Sequence, residues 1–135
     1  MTITSKSTAE FGSDIDRIWH LLTDNTDYAW RSDVQEITVQ ESGSRFTEIS
    51  KDGIVTEFTV AMRIPHQRYV FDLKNKNFTG RFTAILEKNN GRTRIDFIED
   101  LEIAGKSRVK AFICGQYLKK QQKRYIEDMK KALGE

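Results

Sequence analysis

The sequence predicts an α+β domain in which a curved antiparallel sheet of about seven strands wraps around one long C-terminal helix, with two short helices after the first strand. Three observations predict it. Residues 2 to 11 alternate polar and apolar side chains, the stretch from Val34 to Ile103 is cut by turn signals into strand-length pieces, and the chain beyond Gly105 turns into a continuous helix-forming run.

In the first strand Ile3, Ser5, Ser7, Ala9 and Phe11 alternate with Thr2, Thr4, Lys6, Thr8 and Glu10, the period of a half-buried strand. The period then changes. Ile15, Ile18, Trp19 and Leu22 share one helical face, and Ser13 with Asp16 makes a capping box, so a short helix is expected from about Asp14. Asn25 or Thr26 offers a second cap, which predicts a second short helical segment carrying Tyr28 and Trp30.

Turn signals follow at residues 42–44 (SGS), 51–53 (KDG), around Pro65, at 74–77 (KNKN) and at 88–91 (KNNG), which leaves about six consecutive strands. Pro65 belongs in a hairpin connection, where its missing N–H removes no ladder bond. In the last strand Ile95, Phe97, Leu101 and Ile103 share one face while Arg94, Asp96, Asp100 and Glu102 share the other. Ser107 to Leu133 is rich in Lys, Ala, Leu, Gln, Glu and Met, and predicts a helix of about 40 Å. Its second half is amphipathic, with Leu118, Gln122, Tyr125, Met129 and Ala132 in one stripe. Its first half is apolar on two sides, because Val109, Phe112 and Ile113 lie nearly opposite Ala111, Gly115 and Leu118.

A length of 135 residues, with 38% hydrophobic and 31% charged side chains, fits one folded domain spanning residues 1–135. No internal repeat or linker divides it. A formal charge of +2 is too mild to imply nucleic acid as the partner. The N-terminal residues lack the basic start and apolar run of a signal peptide, and no apolar stretch approaches the roughly 20 residues of a membrane span. Cys114 has no second cysteine to pair with, which fits a reducing compartment, so a cytoplasmic protein is expected.

The segment from Asp14 to Ile37 carries a local pattern: Ile18-Trp19, then Leu21-Leu22-Thr23-Asp24, then Trp30 and Asp33 ahead of a strand. These residues, and the order strand, helices, strands, long helix over nearly the whole chain, resemble the SRPBCC superfamily. The resemblance is to its polyketide cyclase/dehydrase-like and START-related lipid-binding members, with their helix-grip layout. One departure is that Ala29 precedes Trp30 where such proteins carry proline. The resemblance implies a fold more than a reaction. It also implies that the sheet, bent around the helix, leaves an apolar cavity for a small hydrophobic molecule. In that setting Trp30, Phe58, Tyr69, Phe71, Phe82 and Phe97, together with Phe112, Gly115 and Leu118 of the terminal helix, are the candidate ligand-binding residues, and Gly80 and Ala84 are further small residues where space could open. In an ordinary domain the same rings simply fill the core.

Glu99 falls on the strand face of Phe97 and Leu101, so a regular strand aims it inward, where an unpaired charge is costly. Three accounts stand: a bulge that turns it to solvent, an ion pair with an arginine such as Arg81, or a ligand anchor and general acid in the cavity. His20 and His66 belong to no metal-ligand spacing, so no metal is expected, and Cys114 is expected to pack inertly. No GxSxG, P-loop or dinucleotide glycine pattern occurs, and no cofactor is expected.

The leading reading is binding or transport of a lipid- or polyketide-like molecule. A polyketide cyclase, aromatase or dehydratase-type enzyme with Glu99 as its catalytic candidate is the alternative, and a cochaperone-like interaction module the second alternative. Lys106, Arg108, Lys110, Lys119, Lys120, Lys123 and Arg124 leave peripheral membrane contact open, and the chain is expected as a monomer or homodimer.

Overall fold

Seven strands pair in one sheet in the order β1-β7-β6-β5-β4-β3-β2, and every neighbouring pair is antiparallel. They are β1 (Thr2–Phe11), β2 (Val34–Gln40), β3 (Arg45–Ser50), β4 (Val55–Ile64), β5 (Arg68–Lys74), β6 (Phe78–Asn89) and β7 (Arg92–Ile103). The computed structural model describes residues 1–135. Strands β2 to β7 form a meander because each connection is a turn too short to cross over. Asn90 and Gly91, at φ 51° and 77°, make the tight turn between β6 and β7, a conformation that asparagine and glycine tolerate best.

The register shifts between Val34 and Glu36 on β2 and between Val60 and Met62 on β4. Such irregularities bend a strand and sharpen its twist, and here they help the sheet curl. Elsewhere the strands stay close. A Cβ on Gly80 of β6 would lie 2.3 Å from the carbonyl oxygen of Asp100 on β7, so this glycine serves close strand approach and opens no internal space.

Helix α1 (Ile15–Thr23) buries Ile15, Ile18 and Leu22, the face its spacing predicts. Its cap is Asp14 rather than Ser13, because the Ser13 hydroxyl donates instead to Glu135 Oε2 at 2.7 Å. The expected second short helix is absent. Residues 24 to 33 form a chain of turns, in which Asp24 accepts from the Thr26 N–H, and Asp27 and Arg31 bond three residues back. A stretch this short and polar closes single turns without the run of i to i−4 bonds that sustains a helix.

Helix α2 (Arg108–Ala132) is capped by Ser107, whose hydroxyl accepts from the Lys110 N–H at 3.2 Å. Its two halves are held differently. In the second half Met129 is fully buried among Phe11, Ile18 and Ile95, and Gln122 is buried against β1. Gln122 Oε1 accepts from the hydroxyls of Ser5 at 2.9 Å and Ser7 at 2.7 Å, while its Nε2 donates to the Ser5 carbonyl at 3.0 Å. At the far end Glu135 accepts from the Gly12 and Ser13 amides, Arg17 donates to the carbonyls of Ala132 and Leu133, and Lys130 donates to the Glu10 carbonyl. The first half has no comparable cover: Val109, Phe112, Ile113 and Tyr117 are 70%, 68%, 61% and 48% exposed. No helix is long and apolar enough to cross a membrane.

Gln122 thus supplies the buried polar join between α2 and the sheet. Replacing it with leucine would leave two serine hydroxyls and a carbonyl without their partner. The variant Gln122→Leu is expected to lower stability by about 1–3 kcal/mol, read as a lower denaturant midpoint at unchanged slope. An unchanged midpoint would show that the hydrogen bonds at this join are not what holds the helix.

Candidate ligand cavity

The sheet curls away from the first half of α2, and a cavity of about 550 Å3 lies between them. Ligand sites commonly occupy about 300–1,000 Å3, so the space suits a small organic molecule. Each strand contributes through its inward face. Phe46, Glu48 and Ser50 come from β3, Thr56 and Phe58 from β4, Phe71 and Leu73 from β5, Phe78 and Phe82 from β6, and Phe97, Glu99 and Leu101 from β7. Ile113, Cys114, Tyr117, Leu118 and Tyr125 close it from α2, and Asn25, Arg31 and Asp33 close it from the turns after α1. Lys51, Asp52, Asn77 and Lys110, all exposed, mark the rim.

The rings form a continuous wall. Phe46 stacks on Phe58 at 4.6 Å, Phe58 meets Phe71 edge-on at 5.1 Å, and Phe71 stacks on Phe82 at 4.5 Å. Phe97 and Tyr125 continue it at 5.7 Å. Offset and edge-on pairs are the favoured geometries for such rings, and they hold one another's rotamers. The wall is therefore preformed.

A charged group sits inside this apolar frame. The Arg31 guanidinium donates through Nε to Asp33 Oδ1 at 3.2 Å, and through Nη2 to Asp33 Oδ2 at 3.2 Å and Glu48 Oε1 at 3.3 Å. Its carbon lies 4.9 Å from the centre of the Tyr125 ring. Burial works against the charge on Arg31, but Glu48 and Asp33 together outweigh it and raise its pKa. For Glu48 burial prevails over the pull of Arg31, and its carboxyl is raised above the usual range. Burial also raises the Tyr125 hydroxyl.

Glu99 faces the cavity with no hydrogen-bond or ion-pair partner in the protein. Its register is regular on both sides, opposite Ser5 on β1 and Phe82 on β6, so no bulge turns it to solvent. Arg81 is not its partner either, since Arg81 pairs with Asp72 on the outer face at 2.7 Å. Burial pushes the Glu99 carboxyl up to about 7, against the opposing attraction of Arg31 and with a further push from Glu48. A carboxyl so placed stays protonated to a higher pH than an ordinary glutamate and has its oxygens free of protein partners.

Of the candidate residues named from the sequence, Phe58, Phe71, Phe82, Phe97, Glu99 and Leu118 line the cavity together. Four others lie elsewhere. Tyr69 is buried beneath α1, where its ring meets Trp19 at 6.2 Å and its hydroxyl accepts from Asn25 Nδ2 at 3.1 Å. Trp30 packs on the Tyr125 ring at 5.4 Å, outside the lining. Phe112 points to solvent, and Gly115 faces Ile3 of β1, whose Cγ2 lies 3.8 Å from where its Cβ would be. Ala84 is fully buried in the core. Both histidines sit outside the cavity lining: His20 pairs with Asp24 at 3.3 Å and His66 with Asp16 at 2.6 Å. No three His, Cys, Asp or Glu side chains group to hold a metal ion.

Arg31, Asp33, Glu48, Asn25 and Tyr125 were not singled out from the sequence as site residues. For Glu48 a signal existed, because it shares the face of Phe46 by the same alternation that places Glu99 beside Phe97. Tyr125 lay in the apolar stripe of α2. Arg31 and Asp33 lie in turns, where no periodicity reports direction.

No protein-family model and no curated protein matches the chain. Its likeness is to solved structures. A conserved protein from Geobacillus kaustophilus superposes with a TM-score of 0.83 at 12% identity, over 98% of this chain and 95% of that one. The Zhui aromatase/cyclase from a Streptomyces species gives 0.82 at 9% identity, over 96% and 92%. A START superfamily protein from Mycobacterium smegmatis gives 0.74 at 12% identity, over 97% of each chain. At these identities the likeness speaks to architecture, and the chain has the helix-grip fold of the START-like, SRPBCC-type proteins.

Proposed function

We propose that the protein binds a small hydrophobic molecule, lipid- or polyketide-like, inside this cavity and carries or senses it. The supporting observation is a cavity of about 550 Å3, walled by Phe58, Phe71, Phe82 and Phe97 and interrupted on β7 by a single unpartnered carboxyl. Space of this size within a preformed aromatic wall forgoes packing that a closed core would gain, and an apolar ligand restores it. Entry is expected past Ile113 and Tyr117, where α2 is uncovered.

A second reading, an enzyme of the cyclase or dehydratase kind, is favoured by one feature. A carboxyl titrating at about 7 beside the Tyr125 ring wall has the poise of a general acid or base at neutral pH. One of the structures with this fold is an aromatase/cyclase.

Native mass spectrometry with lipid extraction of the protein purified from cells is expected to show a copurified apolar molecule. Thr56→Trp, which places an indole in the cavity from β4, is expected to abolish that copurification. It should also weaken an apolar fluorescent probe by about tenfold or more while the melting temperature moves little. Equal probe binding by both proteins would sink the cavity reading.

Glu99 also makes stability depend on pH. Its folded pKa is raised above the unfolded value, so its contribution is fully present below about pH 4.5 and is lost as pH rises through about 7. Relative to Glu99→Gln, the unliganded wild-type protein is expected to lose up to about 3 kcal/mol between pH 4 and 8. Arg31 and Glu48, the charged groups that act on Glu99, and the other titratable groups of the lining, Asp33 and Tyr125, are the same in both proteins. Parallel stability curves for the two would show that Glu99 is not desolvated. On the enzymatic reading Glu99→Gln removes turnover with the fold intact, and retained turnover would dismiss that reading.

A further inference from the structure

The cavity has a chemical polarity along its depth that restricts what kind of amphiphile it takes. Its inner wall carries one cation, Arg31, and three carboxyls, Asp33, Glu48 and Glu99. Arg31 is already committed. Two of its nitrogens are bonded to Asp33 and Glu48, and its face lies over the rings of Tyr125 and Trp30 at 4.9 and 5.7 Å. Two carboxylates already offset its charge, so an anionic ligand reaching its remaining nitrogen, Nη1, meets Asp33 and Glu48 beside it and gains little from the pairing.

Glu99 is the group left over. It is half-buried, it has no partner, and it is aimed into the cavity between Phe82 opposite it on β6 and Phe97 two residues back on the same face. An unpartnered acid at this depth is costly unless something brings it a donor. Aromatic faces around a carboxylate are also the surroundings that organic cations favour, since ring quadrupoles and the carboxylate attract the same charge. The other cations that line the cavity lie toward its opening: Lys51 and Lys110 are exposed, and Arg124 acts on the hydroxyl of the half-exposed Tyr117.

We propose that the cavity selects amphiphiles whose buried end is a protonated amine, paired with Glu99 among the rings of Phe82, Phe97 and Tyr125, and discriminates against those whose buried end is a carboxylate. This rests on the cavity being a hydrophobic ligand site, and it names the class of ligand that site takes. The apolar body of the ligand lies along Phe58 and Phe71 toward the opening.

Three probes with one tail and different heads separate the possibilities: decylamine, decanol and decanoate, each titrated at pH 7 below its micellar concentration by isothermal calorimetry. Decylamine is expected to bind about tenfold or more tighter than decanoate, with decanol between them. In Glu99→Gln, checked for an unchanged melting profile at pH 5, decylamine is expected to weaken about tenfold while decanol stays within about threefold. Decanoate binding as tightly as decylamine would overturn the proposal, and so would an amine preference that survives in Glu99→Gln, since the head would then sit at the rim. Equal binding of all three heads would overturn it while leaving the hydrophobic site in place. Failure of all three to bind would remove the hydrophobic site itself. The comparison among heads in the wild-type protein decides the matter even if the variant is unstable.

Discussion

The fold depends on how α2 is fastened, chiefly through its C-terminal half. Gln122 is bonded to Ser5 and Ser7, and Glu135 holds the Gly12 and Ser13 amides, so the C-terminal half of the helix is tied to β1 and to the start of α1. These contacts join residues more than a hundred positions apart, and they close the domain by bringing the last element against the first strand. Because β1 pairs with β7, the fastening fixes the helix over one side of the sheet. The strands on the other side curl past its first half and leave a space beneath it. The cavity is the gap that results, and the exposed Val109, Phe112 and Ile113 are the part of the helix that reaches beyond the sheet's grip.

That geometry explains why charges are tolerated inside. Arg31, Asp33 and Glu48 would be a poor choice for a closed core, where well-packed apolar residues of similar volume often do as well or better. Here they occupy the junction between the turns after α1, strand β3 and Tyr125, and the guanidinium ties three elements that share no ladder hydrogen bonds. The ring wall stops at this junction. The cluster therefore closes the cavity on the side where no strand is available, and it does so with a fixed fork geometry that a lysine would lack.

Much of the architecture was legible in the sequence because it is written in periods. Alternation placed the strands, the change to helical spacing at Ile15 placed α1, and the stripe Leu118, Gln122, Met129 placed the buried face of α2. The same alternation put Phe97 and Glu99 on one face, where the structure has them. What the sequence withheld was of two kinds. Residues in turns, Arg31 and Asp33 among them, have no period to report their direction, and the expected helix at 25–30 dissolved into turns because local cap signals serve either purpose. Residues with correct faces but different neighbours were the other kind. Tyr69 points inward as its strand requires, yet it meets Trp19 and Asn25 under α1 instead of the cavity, since a sheet face covers both core and cavity and only the path of the helix divides them.

The division between core and cavity also accounts for Glu99. A regular strand gives it no way out: its register continues without a shift opposite Ser5 and Phe82, so its side chain must face whatever covers β7 at that level. Two residues earlier Phe97 meets Tyr125 of the helix, and two residues later Leu101 belongs to the same core cluster. At Glu99 itself the strand faces the cavity. Had α2 packed onto the sheet along its whole length, this position would demand an apolar residue, and a glutamate there would cost the fold its desolvation with nothing in return. An acid between Phe97 and Leu101, on the inward face of β7 that lines the cavity, is a local rule broken at a single position of this strand. Isolated departures of this kind are expected at functional or strained positions, where the cost in stability stays confined to one residue.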